Sequence, residues 1–312
     1  MAITDSYGVA LATKLQMELD QPTSEMMARL CNKDYEGDFF KIGDTVQLVK
    51  PDISAISVVF GSKDDTRPVA QEVDFDKSSF TIDKAAKYRI LVSDINKAEG
   101  KWDYASLGLD LVAQKMRQGH NLEIANLIVN DANIPRLGTP AAPIEVTADE
   151  LYSKIMVPVY TSMCSVGAIT QDGTYSYGSN PEEVKRTNAN MYVPAELFGQ
   201  LLTCKYITDR ATVKADGVIA SASVKEILGF QIEIEPALSQ ASKRKVTVTG
   251  LAEGTFILVV GTQNLVTRAN KVLTPDKKRS ETRFADDYSG LELYGHRVAS
   301  PESGMVAFVK IK

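Results

Sequence analysis

The sequence predicts an α+β fold, in which strands and helices occupy separate stretches of the chain. Residues 43–95 and 203–288 read as short strands and turns, residues 103–130 carry a long helical pattern, and the chain ends in two strands. Segregation of this kind is typical of α+β proteins. With 312 residues, 44% of them hydrophobic, the chain can bury one large core or two modest ones.

Residues 8–31 are predicted to form two short amphipathic helices. Apolar residues recur at helical spacing from Val9 to Leu19, Pro22 interrupts the pattern, and a second short helix follows over 24–30. Neither helix has much core of its own. We therefore expect an arm that lies on another surface.

Residues 43–95 are predicted to form a hairpin that projects from the body. Strand patterns on both sides flank a polar, charged loop, SKDDTRPVAQ (62–71), and no helix lies nearby. The exposed edges of such a hairpin need a partner strand or surface. The charged residues at its tip are therefore candidates for contacts between subunits: Lys63, Asp64, Asp65 and Arg67.

Residues 103–130 carry the strongest helix signal and are named the spine helix here. A continuous helix of this length would span ~42 Å, which is long for a globular enzyme. Thr147 and Glu150 match a capping box and predict the start of a second helix. The apolar residues that recur along the spine helix are Tyr104, Leu107, Leu111, Val112, Met116, Leu122 and Leu127.

The stretch DGVIASASVKEILGFQIEIEPAL (216–238) predicts a turn followed by one two-faced strand that Pro236 ends. The alternation places three apolar side chains toward a core, namely Phe230, Ile232 and Ile234. The opposite face, with Gln231, Glu233 and Glu235, is expected to meet solvent, a lumen or a neighbouring subunit. Glu233 and Glu235 are therefore further candidate interface residues.

No motif in the sequence indicates catalysis, a cofactor or a metal. The glycine-rich phosphate loops and the GxSxG turn are absent, and GTFILVVGTQN reads as a buried strand. A cysteine-dependent hydrolase that uses Cys164 with His120 or His296 remains a minor alternative. We assign no catalytic, cofactor-binding or metal-ligating residue and predict that the chain is not an enzyme.

Charge and hydropathy limit the classes of partner and the cellular compartment that the sequence predicts. The net charge of −5 and pI near 5.3 weigh against a protein that grips nucleic acid. Two short basic runs, 243–245 and 277–279, are interpreted as solvated loop charge. The longest apolar runs are far shorter than the ~20 residues that a membrane helix needs. With three distant cysteines, the sequence predicts a soluble protein of a reducing cytosol.

The order of these elements resembles the major capsid proteins of tailed bacteriophages, which have the Hong Kong 97-type fold. Three segments carry the resemblance, namely NANMYVPAELFGQLL (188–202), DGVIASASVKEILGFQIEIEPAL and LELYGHRVASPESGMVAFVKIK (291–312). The likeness covers residues 40–312 in order. The resemblance implies an N-terminal arm (1–42), an extended loop (43–95), a peripheral domain (96–187 and 289–312) with the spine helix, and an axial domain (188–288).

The resemblance also implies a function. The chain is expected to assemble through pentamers and hexamers into an icosahedral or elongated head that encloses double-stranded DNA without reading its sequence. It would be made in the host cytoplasm and reside in the virion. Portal and decoration proteins are possible partners in this family, and the short region before the hairpin implies a separate scaffolding protein or none. The alternative within the same fold is an encapsulin-type nanocompartment shell.

Overall fold

Two β-sheets and one long helix organise the chain. The computed structural model describes residues 2–21, 23, 25–33, 41–51, 75–95, 104–165, 174–175, 187–204 and 226–312. The helices in these ranges are α1 (Ala2–Leu19), α2 (Met26–Arg29), α3 (Tyr104–Asn130), α4 (Val157–Ser165) and α5 (Ala195–Thr203). The helix and strand patterns of the sequence thus recur as separate elements, and α3 matches the predicted spine helix within one residue.

The strands fall into two main sheets and two small pairs. The first eight are β1 (Cys31–Asn32), β2 (Thr45–Pro51), β3 (Phe75–Thr81), β4 (Lys84–Ser93), β5 (Arg136–Leu137), β6 (Ile144–Val146), β7 (Thr174–Tyr175) and β8 (Thr187–Asn188). The others are β9 (Asn190–Val193), β10 (Glu226–Ile227), β11 (Phe230–Ile234), β12 (Thr255–Gly261), β13 (Val266–Val272), β14 (Asp276–Arg279), β15 (Ala285–Val298) and β16 (Gly304–Ile311).

The seven-stranded sheet has the order β10-β11-β9-β12-β16-β5, with β6 also paired to β16. Both of its faces are buried, which explains why its strands read as continuous apolar runs. In β12, Ile257 and Val259 join the core that contains α3, whereas Leu258 and Val260 point into the core beneath α4 and α5. The interpretation of GTFILVVGTQN as a buried strand is therefore confirmed.

The five-stranded sheet has the order β1-β13-β15-β14, and β4 pairs with β15. The 14-residue strand β15 holds this sheet together, because β13 and β14 pair with successive parts of it and β4 pairs with it over ten residues. One face of the sheet packs against the β2–β3 pair. The side chains in that small core are Val46, Leu48, Phe80, Ile82, Ala269 and Leu293.

The β2–β3 pair is the base of the predicted hairpin. The two strands are antiparallel, from Thr45 opposite Thr81 to Pro51 opposite Phe75. Gly295 of β15 lies under this base, since an added Cβ there would be 3.1 Å from both Phe80 and Ile82. The predicted tip (62–71) lies outside the described residues.

Helix α3 is buried along a stripe that only partly follows the apolar residues of the sequence pattern. Leu109, Ala113 and Met116 are buried, and the stripe continues through His120. Leu107 and Leu111, two of the residues whose spacing predicted the helix, are exposed. The stripe turns because α3 must meet α1 near its start and the seven-stranded sheet near its end, where Ile124, Ala125, Ile128 and Val129 are buried.

The N-terminal segment lies on α3, in agreement with an arm that has little core of its own. Leu15 and Leu19 of α1 join the core shared with α3. The Arg117 guanidinium donates to the backbone oxygen of Glu18 (2.8 Å), and Lys14 pairs with Asp110 at 2.7 Å. The arm is thus docked on the body of its own chain.

The second predicted helix begins where its capping residues are. The Glu150 carboxylate accepts the backbone N–H of Thr147 at 3.1 Å. A 3₁₀ turn (Ala148–Glu150) and a π-helical turn (Tyr152–Met156) precede α4. Pro158 lacks the N–H that an α-helical bond to the preceding turn requires, so the wider π turn fits ahead of it.

Replacing Gly304 with alanine should lower the free energy of unfolding by about 1–3 kcal/mol through overpacking. An added Cβ at Gly304 would lie 2.6 Å from two side-chain atoms of Leu265, which is fully buried and cannot move aside. The change is measured by urea denaturation of the purified protein.

The control is Gly199→Ala, because Gly199 lies in α5 with nothing within 4 Å of an added Cβ. This variant should be more stable than the wild type by about 1 kcal/mol or less, from helix propensity alone. Equal stability of Gly304→Ala and the wild type would contradict the packing described here.

Candidate assembly surface and buried polar layer

The six predicted interface residues differ in whether the structure describes them and in how deeply they are buried. Lys63, Asp64, Asp65 and Arg67 lie outside the described residues. Glu233 is half-buried on β11, beside Tyr192 of β9. Glu235 is buried, so the prediction that it faces solvent or a neighbour is wrong for the isolated chain.

Glu235 turns inward because the chain turns after β11. Its carboxylate accepts the backbone N–H of Ala237 at 3.1 Å and caps the 3₁₀ turn Pro236–Leu238. Ile234 is displaced outward at the same point and is 46% exposed. Burial raises the pKa of Glu235, the hydrogen bond from Ala237 opposes this, and the nearby Glu25 adds to the rise.

A buried layer of polar side chains lies between α3 and the five-stranded sheet. We call this set the polar layer; it comprises His120 and Glu123 of α3, Arg268 and Asn270 of β13, and Glu292, Tyr294 and His296 of β15. The β15 residues alternate with Leu293 and Gly295, which face the hairpin base. Strand β15 therefore has one polar face toward α3 and one apolar face toward β2 and β3.

Glu292 is the central acceptor of the polar layer. Its side chain has no solvent exposure. Nε2 of His120 lies 3.0 Å from its Oε2, and the Asn270 amide donates to its Oε1 at 2.8 Å. A buried carboxylate is costly without such partners. These contacts bind α3 to two strands of the five-stranded sheet.

Glu123 anchors the outer edge of the same layer. The Tyr294 hydroxyl donates to its Oε1 at 2.8 Å, and Lys84 of β4 donates to its Oε2 at 3.0 Å. Burial raises the pKa of Tyr294, and the hydrogen bond to Glu123 adds to this effect. Nδ1 of His296 lies 3.8 Å from Oε2 of Glu123.

The two histidines of the chain meet in the polar layer. Their ring centroids are 5.2 Å apart with the planes nearly perpendicular, and Tyr294 contacts both rings. Burial holds the pKa of His296 well below its ordinary value, and the nearby His120, Arg268 and Lys84 lower it further. Within the described part of the chain, neither ring nitrogen of His296 has a hydrogen-bond partner.

The proposed Cys–His pair is not formed. Cys164 lies on α4 and packs against the core on one side of the seven-stranded sheet, whereas α3, with His120, lies on the other side. Cys31 and Cys204 are buried thiols. In the ranges the structure describes, no group of three or more His, Cys, Asp or Glu side chains could hold a metal ion.

The two basic runs differ in the structure. Residues 277–279 lie in β14 rather than in a loop, and acidic neighbours balance them. Lys277 pairs with Asp286 at 3.1 Å, and Arg279 pairs with Asp94 and Asp286. Residues 243–245 are exposed in a bend, as interpreted. None of the helices described has the length and apolar character needed to cross a bilayer.

Several large apolar side chains remain exposed on the isolated chain. Leu111 of α3 and Met17 of α1 are 65% and 67% exposed, and Phe284, just before β15, is 84% exposed. Exposed apolar groups that cluster on a surface often mark a protein interface. The exposed ones on these two helices are Met17 of α1 and Leu107 and Leu111 of α3.

Solved structures with the same architecture are capsid proteins and related particles. The capsid of cyanophage P-SCSP1u aligns with a TM-score of 0.58 and 12% identity, over 88% of this chain and 85% of that one. A structure from Mycobacterium phage Che8 aligns at 0.56 and 16% identity, over 89% and 88%. The chain has the Hong Kong 97-type capsid fold.

The same capsid fold extends to a virus-like particle from Pyrococcus furiosus. That structure aligns with a TM-score of 0.52 and 10% identity, over 96% of this chain and 99% of that one. No protein-family model matches the sequence, and no curated protein matches it. The capsid fold is therefore shared at identities too low for sequence comparison to detect.

Replacing Glu235 with glutamine should raise stability at neutral pH. The pKa of Glu235 is raised in the folded protein. The wild-type side chain therefore stabilises the fold most at pH values below its ordinary pKa of about 4.5. This stabilisation is lost as the pH rises through the folded pKa. Glutamine can still accept from Ala237 and has no charge to bury. The free energy of unfolding, measured from about pH 4.5 to pH 7.5, checks this.

The matched control is Glu235→Ala, which removes the cap as well as the charge and should cost about 1 kcal/mol. If glutamine destabilised the protein as much as alanine at neutral pH, the buried cap would be the wrong description of Glu235.

Proposed function

We propose that the chain is the major capsid protein of a tailed phage, a shell subunit and not an enzyme. The observation that carries the proposal is the capsid fold over nearly the whole chain. The compared structures are capsids or a virus-like particle, in which many copies of one subunit form a shell.

The architecture supports assembly through a reaching hairpin. The β2–β3 base is fixed on β15 by its own small core, so a hairpin extended from it would have a defined direction. A projecting hairpin exposes strand edges that a neighbouring copy can cover. In this proposal the charged tip residues of the hairpin contact a second copy: Lys63, Asp64, Asp65 and Arg67.

The division into regions is part of the proposal. Residues 1–42 act as the arm, 43–95 as the extended loop, 96–187 with 289–312 as the peripheral domain, and 188–288 as the axial domain. The seven-stranded sheet contains strands of both proposed domains, because β12 pairs with β16 over seven residues. A shared sheet would make the two domains move together within one subunit.

Assembly is proposed to proceed through pentamers and hexamers to an icosahedral or elongated head that encloses double-stranded DNA. The subunit is made in the host cytoplasm and resides in the virion. Each interface can be weak, because a subunit in a closed shell makes several contacts at once. A scaffolding protein, a portal and decoration proteins are the expected partners of such a head.

An encapsulin-type shell is the alternative within the same fold, and the similarity to a virus-like particle supports this alternative. A cysteine-dependent hydrolase is not favoured, because Cys164 and His120 lie on opposite sides of the seven-stranded sheet.

The proposal is tested by producing the chain with no other phage protein and examining it by light scattering and negative-stain microscopy. Capsomers, shells or tubes are expected, because the subunit carries its own assembly surfaces. If the product is a monomer, the chain is produced again with the phage's scaffolding and portal proteins.

A monodisperse monomer in both preparations would contradict the proposal. Closed shells that form without any phage partner and enclose a host enzyme would instead favour the nanocompartment.

Reversing the charge of Glu233 should reduce shell formation while the chain still folds. Glu233 is half-buried on β11, so its substitution should change the free energy of unfolding by about 0.5 kcal/mol or less. Shell yield of Glu233→Lys relative to wild type, with urea denaturation of both, checks this.

The contrasting variant is Glu235→Lys, which places a cation in a buried position and should prevent folding. Normal shell yield from Glu233→Lys would remove Glu233 from the interface.

A further inference from the structure

The polar layer places two imidazoles, two carboxylates and a buried guanidinium between one helix and one sheet. Such a layer holds α3 in place only while its charges balance. His120 and His296 are the only histidines in the chain. Histidine is the side chain whose ordinary pKa lies closest to neutral pH, so few other groups in the protein can respond there.

The charged and titratable groups that face the two histidines come from every element packed around them. From α3 comes Glu123, from β13 Arg268, and from β15 Glu292 and Tyr294. Strand β4 adds Lys84 and Tyr88, and the turn before it adds Asp83. Arg268 is in turn held by Asp20, at the end of α1, at 2.5 Å.

The two imidazoles are placed differently with respect to these groups. His120 has the carboxylate of Glu292 at 3.0 Å from its Nε2. Among the described residues, Glu123 is the carboxylate within 4 Å of His296, at 3.8 Å, and it already accepts from Tyr294 and Lys84. Arg268 lies directly across the strand pair from His296. A proton on His296 would therefore add a positive charge close to other positively charged side chains.

Solvent can reach this region without unfolding of the chain. A groove of about 460 Å³ runs between β4 and α3 and has His120, Glu123 and Tyr294 in its lining. Gly119 of α3 also lines this groove, next to His120. Protons can therefore enter from the groove.

We propose that the polar layer is a proton-operated latch, in which a proton added to His296 sets like charges against one another and loosens α3 from β15. Protonation gains one positive charge at an imidazole that faces His120, Arg268 and Lys84. Separation of α3 from the sheet lets water solvate these charges. The latch is closed at neutral pH and opens as the pH falls.

Opening of the latch would also change the position of the hairpin base. The residues that alternate with the latch on β15, Leu293 and Gly295, pack beneath the hairpin base. A change in the position of β15 relative to α3 therefore alters the direction of β2 and β3. This inference concerns the fold of one chain and holds whether or not the chain forms shells.

Hydrogen exchange read by mass spectrometry on the full chain tests the latch between about pH 7.5 and pH 5.5, a window that spans the ordinary histidine pKa. After correction for intrinsic rates, peptides from α3 and from 291–298 should exchange up to about tenfold faster at the lower pH, the limit that one imidazole sets. Peptides from α4 should not change. Unchanged protection of α3 in the wild type would overturn the proposal.

Two histidine variants identify the group responsible. His296→Gln should abolish the change, because the proton then has no site. His120→Gln should shift the change to lower pH, because one of the opposing cations is gone. Glu235→Gln removes a buried carboxylate outside the layer whose pKa is raised, and this variant should respond as the wild type does.

Retention of the full change in His296→Gln would overturn the proposal. If that variant does not fold, His120→Gln decides alone. A shift to lower pH supports the latch, and an unshifted change contradicts it. Shell formation is not used as a readout, so failure of the latch and failure of the shell function are distinguishable.

Discussion

One side of helix α3 packs in an apolar core and another side is held by hydrogen bonds. The arrangement of the chain depends on these two contacts. Ile124 and Ile128 contact the seven-stranded sheet through an apolar core, while His120 and Glu123 meet the five-stranded sheet through hydrogen bonds. The apolar side supplies most of the burial energy, and the polar side fixes how the helix is oriented. Both sheets therefore have defined positions relative to one rigid axis.

Strand β15 connects α3 to the hairpin base and so fixes the position of β2 and β3. Because side chains alternate along a strand, the same segment presents Glu292, Tyr294 and His296 to α3 and Leu293 and Gly295 to the hairpin base. Gly295 has no side chain, which lets Phe80 and Ile82 approach closely. For a shell subunit this is useful, because a reaching element must leave the body at a fixed angle if identical copies are to close.

The main elements could be predicted from the sequence, because their signals are local. The spine helix, the capping pair Thr147–Glu150 and the buried strand at 255–261 follow from periodicity and from turn chemistry. The exposure of Leu107 and Leu111 could not, since the face of α3 that is buried depends on where α1 and the two sheets lie.

The buried cluster of histidines was missed for a related reason. His120 and His296 are far apart in sequence, and pairing of β15 with β13 under α3 brings them together. One signal was present, since His120 continues the buried stripe of α3 and His296 alternates with the apolar residues of LELYGHRV. Glu235 shows the limit of simple alternation, because Pro236 turns the chain and draws that side chain inward.

The central claim is that copies of this chain build a shell by laying their hairpins on neighbouring copies. A cryo-electron-microscopy reconstruction of the assembled particles tests it most directly, because it shows which subunit each hairpin contacts. The account predicts a closed shell in which the hairpin that leaves β2 and β3 rests on an adjacent subunit. Particles whose hairpins fold back on their own chain, or no ordered particles at all, would contradict it.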